Sequence, residues 1–171
     1  MNATTSQSTG EIRLLRQQAG MIRHVVGLSV DGLTQAETLI QPQPAGNCMN
    51  WVVGHLLTIY QQVLPLIGQE PVIPNGKLKQ YNRGSQPIRD SGHALDISDL
   101  MTAWGETCAR IDSGFAALTS EDLDRPAPFS PTDNPNETIA SLLTTVCWHQ
   151  AYHAGQTGLL RRLAGKDGAI R

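Results

Sequence analysis

Apolar residues recur at three- and four-residue steps in four long segments of this chain, and nowhere do they alternate convincingly, so the periodicity is that of helices and not of strands. In the first segment, Thr9 to Val30, the stripe is Ile12, Leu15, Ala19, Ile22 and Val26. A Gly- and Pro-bearing stretch, DGLTQAETLIQPQPAGN, breaks it off. The second, Met49 to Ile67, places Val52, Leu56, Ile59, Val63 and Leu66 on one side, and Pro65 implies a kink or frayed end. The third starts near Ser98, read as its N-cap, and carries Leu100, Trp104, Cys108, Ile111, Phe115 and Leu118. The fourth opens at NPNE, with Asn134 as cap, Pro135 at the first helical position and Glu137 closing a capping box, and it ends at Gly165. Four apolar-striped helices without a sheet predict an all-α four-helix bundle with long connections, 69–97 between helices 2 and 3 and 119–134 between helices 3 and 4.

At 171 residues the chain fits one domain, 1–171, with a polar tail over about 1–8. The formal net charge is −2, and the thirteen Lys and Arg are scattered, which gives no electrostatic footprint for nucleic acid or an anionic membrane. No apolar run is long enough to span a bilayer, and the N-terminal stretch lacks the apolar core of an export signal. Cys48, Cys108 and Cys147 are odd in number and widely spaced, as reduced thiols would be. The expectation is a cytoplasmic protein that binds neither nucleic acid nor membrane.

Chemistry enters with TVCWHQAYHAGQ on the fourth helix, where His149 and His153 stand four apart. The spelling HQAYH differs from the zinc-protease pattern HExxH at the residue that would be the general base. Here that residue is Gln150, whose amide takes up no proton at neutral pH, so peptide hydrolysis by that route is excluded. On a helical projection with Ile139 at zero, His149 falls at about 280° and His153 at about 320°, in the middle of the expected buried stripe. Spacing of four puts both imidazoles on one face, where they can converge on one ion; two unrelated core histidines are the plainer explanation of such a pair taken alone. His55 in NWVVGHLL on the second helix also points inward, and three histidines form a recognised zinc-ligand set that leaves a position for substrate. Nickel, copper and iron accept neutral imidazole as well. A di-iron carboxylate site is excluded because no glutamate has a histidine three residues on.

The segments NWVVGHLL and HQAYHAGQTGLLRRLAGK, with their order and spacing over nearly the whole chain, resemble the two signature segments of the DinB-like (damage-inducible, YfiT-like) family of metal-dependent bundle proteins. The resemblance implies that His55, His149 and His153 bind a divalent metal, zinc or nickel, and that the protein forms a homodimer. It also implies an activity class, since the family includes thiol-dependent S-transferases and isomerases acting on small molecules with a low-molecular-weight thiol. Fold membership alone does not fix the reaction.

Around the histidines, Gln156 lies one turn beyond His153 and is either a holder of a ligand's outer nitrogen or a polar residue at the helix end. Trp51 and Tyr152 either wall a substrate pocket or pack. His93, in the long loop, is expected in solvent, and Arg161 and Arg162 stabilise the carbonyl end of the last helix. Cys147 is expected to face away from the histidines, whereas Cys108 is either a fourth ligand or a buried small thiol. No general base is apparent within a turn of the histidines, so a loop acid, Asp90 or Asp96, or the metal-bound group itself would have to serve. The leading expectation is a metal-dependent S-transferase or hydrolase with open coordination. The alternatives are a stress-response protein with a structural metal and a metal-free helical interaction module.

Overall fold

The structure, a computed structural model, describes residues 10–74 and 76–170, so the expected tail over 1–8 and the helix start at Thr9 lie outside the described residues. Within them the protein is helical, with no strand, and no helix is long and apolar enough to cross a membrane. The helices are α1 (Gly10–Val30), α2 (Gln35–Thr38), α3 (Met49–Val63), α4 (Ile97–Ala117), α5 (Ser120–Asp124) and α6 (Ile139–Leu163). Helix α1 packs on α4 and α6, and α3 packs on the same two, so the four long helices enclose one continuous apolar core.

The apolar stripes of α1 and α4 are buried as their periodicity predicts, from Ile12 to Val26 and from Leu100 to Leu118. Pro65 ends α3 as anticipated: the α-helix stops at Val63 and one tight 3₁₀ turn, Leu64–Ile67, follows. Two caps differ from the expectation. Asp96, not Ser98, caps α4, its carboxylate accepting from the Ser98 N–H, because the helix begins two residues earlier. Helix α6 begins at Ile139 and not near Asn134: Thr138 and Ser141 form the capping box. The preceding residues are engaged elsewhere, since Ala127 N–H donates to the Glu137 carbonyl and Ile139 N–H to that of Arg125. Gly165 does end α6. It adopts φ 78, and the Gly165 and Lys166 N–H groups return to the Arg162 and Arg161 carbonyls in a Schellman motif.

The connection between α3 and α4 is not a loose polar link. It contains a 3₁₀ turn, Lys79–Tyr81, and buries Leu78, Tyr81 and Ile88. Polar side chains of α3 hold its backbone: Asn50 Nδ2 donates to Leu95 O at 2.8 Å, and Gln61 Oε1 accepts from Val72 N at 2.7 Å and Ile73 N at 3.0 Å. Each such bond contributes about 1 kcal/mol net, but leaving one unmade in a buried place costs more. This cover buries the second face of α3, which is why residues 49–58 are buried all the way round the helix and not along one stripe.

The C-terminal end of α6 is tied to the α1–α3 connection at Glu37. Its carboxylate accepts from Thr34 N at 2.7 Å and faces Lys166 Nζ at 2.9 Å. The Thr34 N–H, then Lys166 and the Thr34 hydroxyl, hold its pKa down to about 2. A carboxylate depressed in the folded state adds stability above its ordinary pKa near 4.5 and loses it as pH falls toward 2. Glu37→Gln is therefore expected to melt lower than wild type at pH 6 and to lose less melting temperature between pH 4.5 and 2, as read by thermal denaturation monitored by circular dichroism.

Candidate metal centre

Helices α3 and α6 bring His55, His149 and His153 together, with one ligating nitrogen from each lying within 4.8 Å of the others. The ring centroids are 5.2 Å apart for His55 and His149, 4.9 Å for His55 and His153, and 4.5 Å for His149 and His153, all edge-to-face. His55 is 4 % exposed, while the other two are half-buried. The histidines of α6 sit at the edge of its buried face and not at its middle. The middle is held by Val146, Gln150 and Thr157, since α6 is buried from Leu142 and Leu160 on one side to Cys147 and Ala154 on the other.

Hydrogen bonds fix which nitrogen two of the three rings present. A carbonyl can only accept, so His55 Nδ1 carries a proton and donates it to Tyr81 O at 2.8 Å, leaving the Nε2 lone pair aimed at the cluster. His153 Nδ1 donates to Gln156 Oε1 at 2.7 Å, with the same result. Gln156 thus holds the outer nitrogen of His153. His149 Nε2 lies 3.3 Å from His55 Nε2, and its Nδ1 is buried without a hydrogen-bond partner. Either tautomer of His149 carries a cost. Nδ1 is unmet in both, as a lone pair when the proton is on Nε2 and as an N–H when the proton is on Nδ1, and the second tautomer also sets two Nε2 lone pairs face to face.

Burial lowers the pKa of all three rings; for His149 burial comes first, then His153, His55 and Arg83, and the value falls to about 4. Three neutral imidazoles with converging lone pairs form the donor set a divalent cation needs. Two nitrogens bound to one tetrahedral zinc at about 2.0–2.1 Å stand about 3.3 Å apart, which is the His55–His149 spacing. The residues present therefore fit a metal ion.

Trp51 stacks on His55, with centroids 4.6 Å apart and planes at 16°, and its Nε1 donates to Ser85 Oγ at 2.9 Å. It lines a cavity of about 670 Å³ that opens onto the histidines and is also walled by Arg83, Tyr152, Gln156, Leu159 and Leu163. Tyr152 is 57 % exposed and stands edge-on to His153, so both aromatics wall the pocket, one from inside and one at its mouth. Neither loop acid reaches in. Asp96 caps α4, and Asp90 turns to His93 and the Gly92 N–H in solvent, so that no Asp or Glu lines the cavity among the described residues.

Cys108 is not a fourth ligand. It lines a separate cavity between α1 and α4 with Arg23 and Tyr60, and burial pushes its pKa up to about 12. Cys147 lies apart from the three-histidine group, with its pKa raised by burial to about 11. Arg161 donates to the Ser29 and Asp31 carbonyls at the end of α1, a structural role. The sequence reading missed Tyr81 and Arg83. Tyr81 sits in the long loop with no periodic signal, and Arg83 is one cation among thirteen until the fold places it beside His149.

A helical protein with a three-histidine centre between two of its long helices is what the fold and the site define. A model of the DinB superfamily matches residues 16–157, and the chain belongs to that superfamily. Among solved structures it is similar to a conserved protein from Enterococcus faecalis, with a TM-score of 0.68, 17 % identity, and coverage of 90 % of this chain and 97 % of that one, which is a likeness of fold. No curated protein matches the chain.

Tyr81 explains a requirement at Gly54. Its ring lies so close to α3 that a methyl on Gly54 would overlap Cδ1. Its hydroxyl meanwhile donates to Asn50 Oδ1 and accepts from Leu95 N. Gly54→Ala gains about 1 kcal/mol of helix propensity but is expected to lose about 1–3 kcal/mol to overpacking, for a net fall in urea midpoint.

Proposed function

We propose that this protein is a divalent-metal-dependent S-transferase built on a four-helix bundle, joining a low-molecular-weight thiol to a small-molecule acceptor, with His55, His149 and His153 holding zinc or nickel. The observation that carries the reading is one ligating nitrogen from each of the three histidines gathered within 4.8 Å at the floor of an open cavity, with the Nε2 lone pairs of His55 and His153 freed by Nδ1 donation. An ion held there supplies Lewis acidity that lowers the pKa of a thiol or water. The chain supplies the rest. Tyr81 O and Gln156 Oε1 orient two ligands, Trp51 excludes water from the back of His55, and Arg83 gives the cavity one cation.

Two features support thiol transfer over hydrolysis. Among the described residues no carboxylate lines the cavity to serve as general base for water, and a thiol with an ordinary pKa of about 8.5 needs a far smaller shift than water at about 15.7 to ionise near neutrality. In the transfer, sulfur forms a bond to the acceptor's electrophilic carbon as that carbon's bond to its leaving group breaks. The electron pair departs with the leaving group, and the thiol proton passes to solvent. A homodimeric state, carried from the family resemblance, and a cytoplasmic location, carried from the odd number and wide spacing of the cysteines, belong to the same reading. The second reading, a structural metal, is favoured by the position of the three ligands across the α3–α6 contact, where an ion would join the two helices.

The test begins with elemental analysis of untagged protein supplied with zinc or nickel. One ion per chain is expected, and none in the His55→Ala, His149→Ala, His153→Ala triple variant. Loaded protein is then expected to accelerate the reaction of a small thiol with a carbon electrophile, and chelation to abolish the acceleration while the protein stays folded. Unfolding on chelation without any transferase activity would replace this reading with the structural one, and a chain that takes up no ion would contradict both.

A further inference from the structure

The groove between α3 and α6 does not end at the histidines. On the far side of His149 from the cavity described above lies a second one of about 310 Å³, and His149 and Arg83 line both. Along the first cavity α3 contributes Trp51 and His55; along the second it contributes Ile59 and Val63, while α6 supplies Val146 and Trp148. Phe129, from the connection before α6, also lines the second cavity.

Its wall chemistry is specific. Phe129 and Trp148 are 42 % and 66 % exposed, large apolar surfaces turned to solvent beside a concave space. Arg83 at the junction makes no salt bridge among the described residues, although it stands close enough to His149 to depress that ring's pKa. No Asp or Glu lines either cavity among the described residues. An exposed guanidinium without a carboxylate, between an aromatic-walled space and the histidines, is the arrangement that recognises a planar anion on an apolar body. The volume lies at the lower end of the range for small-molecule pockets, enough for a fused aromatic ring pair.

We propose that this second cavity is a subsite for an aromatic carboxylate, with its ring held among Ile59, Val63, Phe129 and Trp148 and its carboxylate on Arg83. The larger cavity is then left to the thiol, and the two ligands meet at His149. Assignment of the bound molecule as the acceptor rests on the S-transfer reading; the binding itself does not.

The experiment is calorimetric titration of the chelator-treated full chain with 2-naphthoate and, as the neutral counterpart, 2-naphthylmethanol. The absence of metal separates failure of the subsite from failure of the metal reading. Naphthoate is expected to bind with Kd of about 1 mM or tighter. Arg83→Gln is expected to weaken naphthoate about tenfold and leave the alcohol unchanged. Trp148→Ala and Phe129→Ala are each expected to weaken both ligands about threefold or more. All three side chains are exposed, so the variants keep the fold, which circular dichroism verifies. Naphthoate that does not bind saturably, or binds with no sensitivity to Trp148 and Phe129, overturns the subsite. Loss of binding in the aromatic variants without any effect of Arg83→Gln overturns the recognition of a carboxylate.

Discussion

The contact between α3 and α6 is registered by one buried amide. Gln150 is fully buried, and its Nε2 donates to the Leu56 carbonyl at 3.0 Å, one residue past each of the histidines that face each other, His55 and His149. A buried donor with a single fixed acceptor tolerates little sliding, because a shift of one residue would strand it. The apolar core around it fixes depth but is non-directional, so the hydrogen bond supplies the register that packing alone would leave loose. The same position explains why glutamate would be poorly suited there: a carboxylate would be buried where no Lys or Arg is buried among the described residues.

From that register the site follows in layers. His55 meets the two histidines of α6, and the loop between α3 and α4 then supplies what the helices lack. Tyr81 is the clearest case, since its ring fills the space left by Gly54, its hydroxyl joins Asn50 to the Leu95 N–H, and its carbonyl sets the tautomer of His55. One loop residue therefore couples the cover of α3 to the tautomer of His55. Gln156 performs the corresponding service for His153 from within α6, three residues on.

Much of this was legible in the sequence, and the reasons for the rest are physical. The stripes of α1 and α4 could be read because each buries one face, so periodicity reports burial directly. Helix α3 could be placed, but its all-round burial could not, because the loop that covers it is held by Asn50 and Gln61 through backbone contacts that carry no periodic signal. The start of α6 was misread since Asn134, Pro135 and Glu137 spell a helix start, while long-range pairing with Arg125–Ala127 keeps those residues out of the helix. The histidine triad was legible from spacing and from the family resemblance. Its placement at the edge of α6 was not, because charge-free residues such as Gln150 and Thr157 take the middle of the buried face and read as polar in one dimension.

A cation held by the three histidines would meet three Nε2 lone pairs, with the proton of each ring on Nδ1. The most direct measurement is nitrogen NMR of the histidine side chains in ¹⁵N-labelled protein at neutral pH, before and during titration with zinc. The Nδ1–H tautomer is expected for His55 and His153 from the start and for His149 once zinc is bound, with all three Nε2 resonances shifting together and saturating at one zinc per chain. An Nε2–H tautomer at His55 or His153, or Nε2 resonances indifferent to zinc, would contradict it.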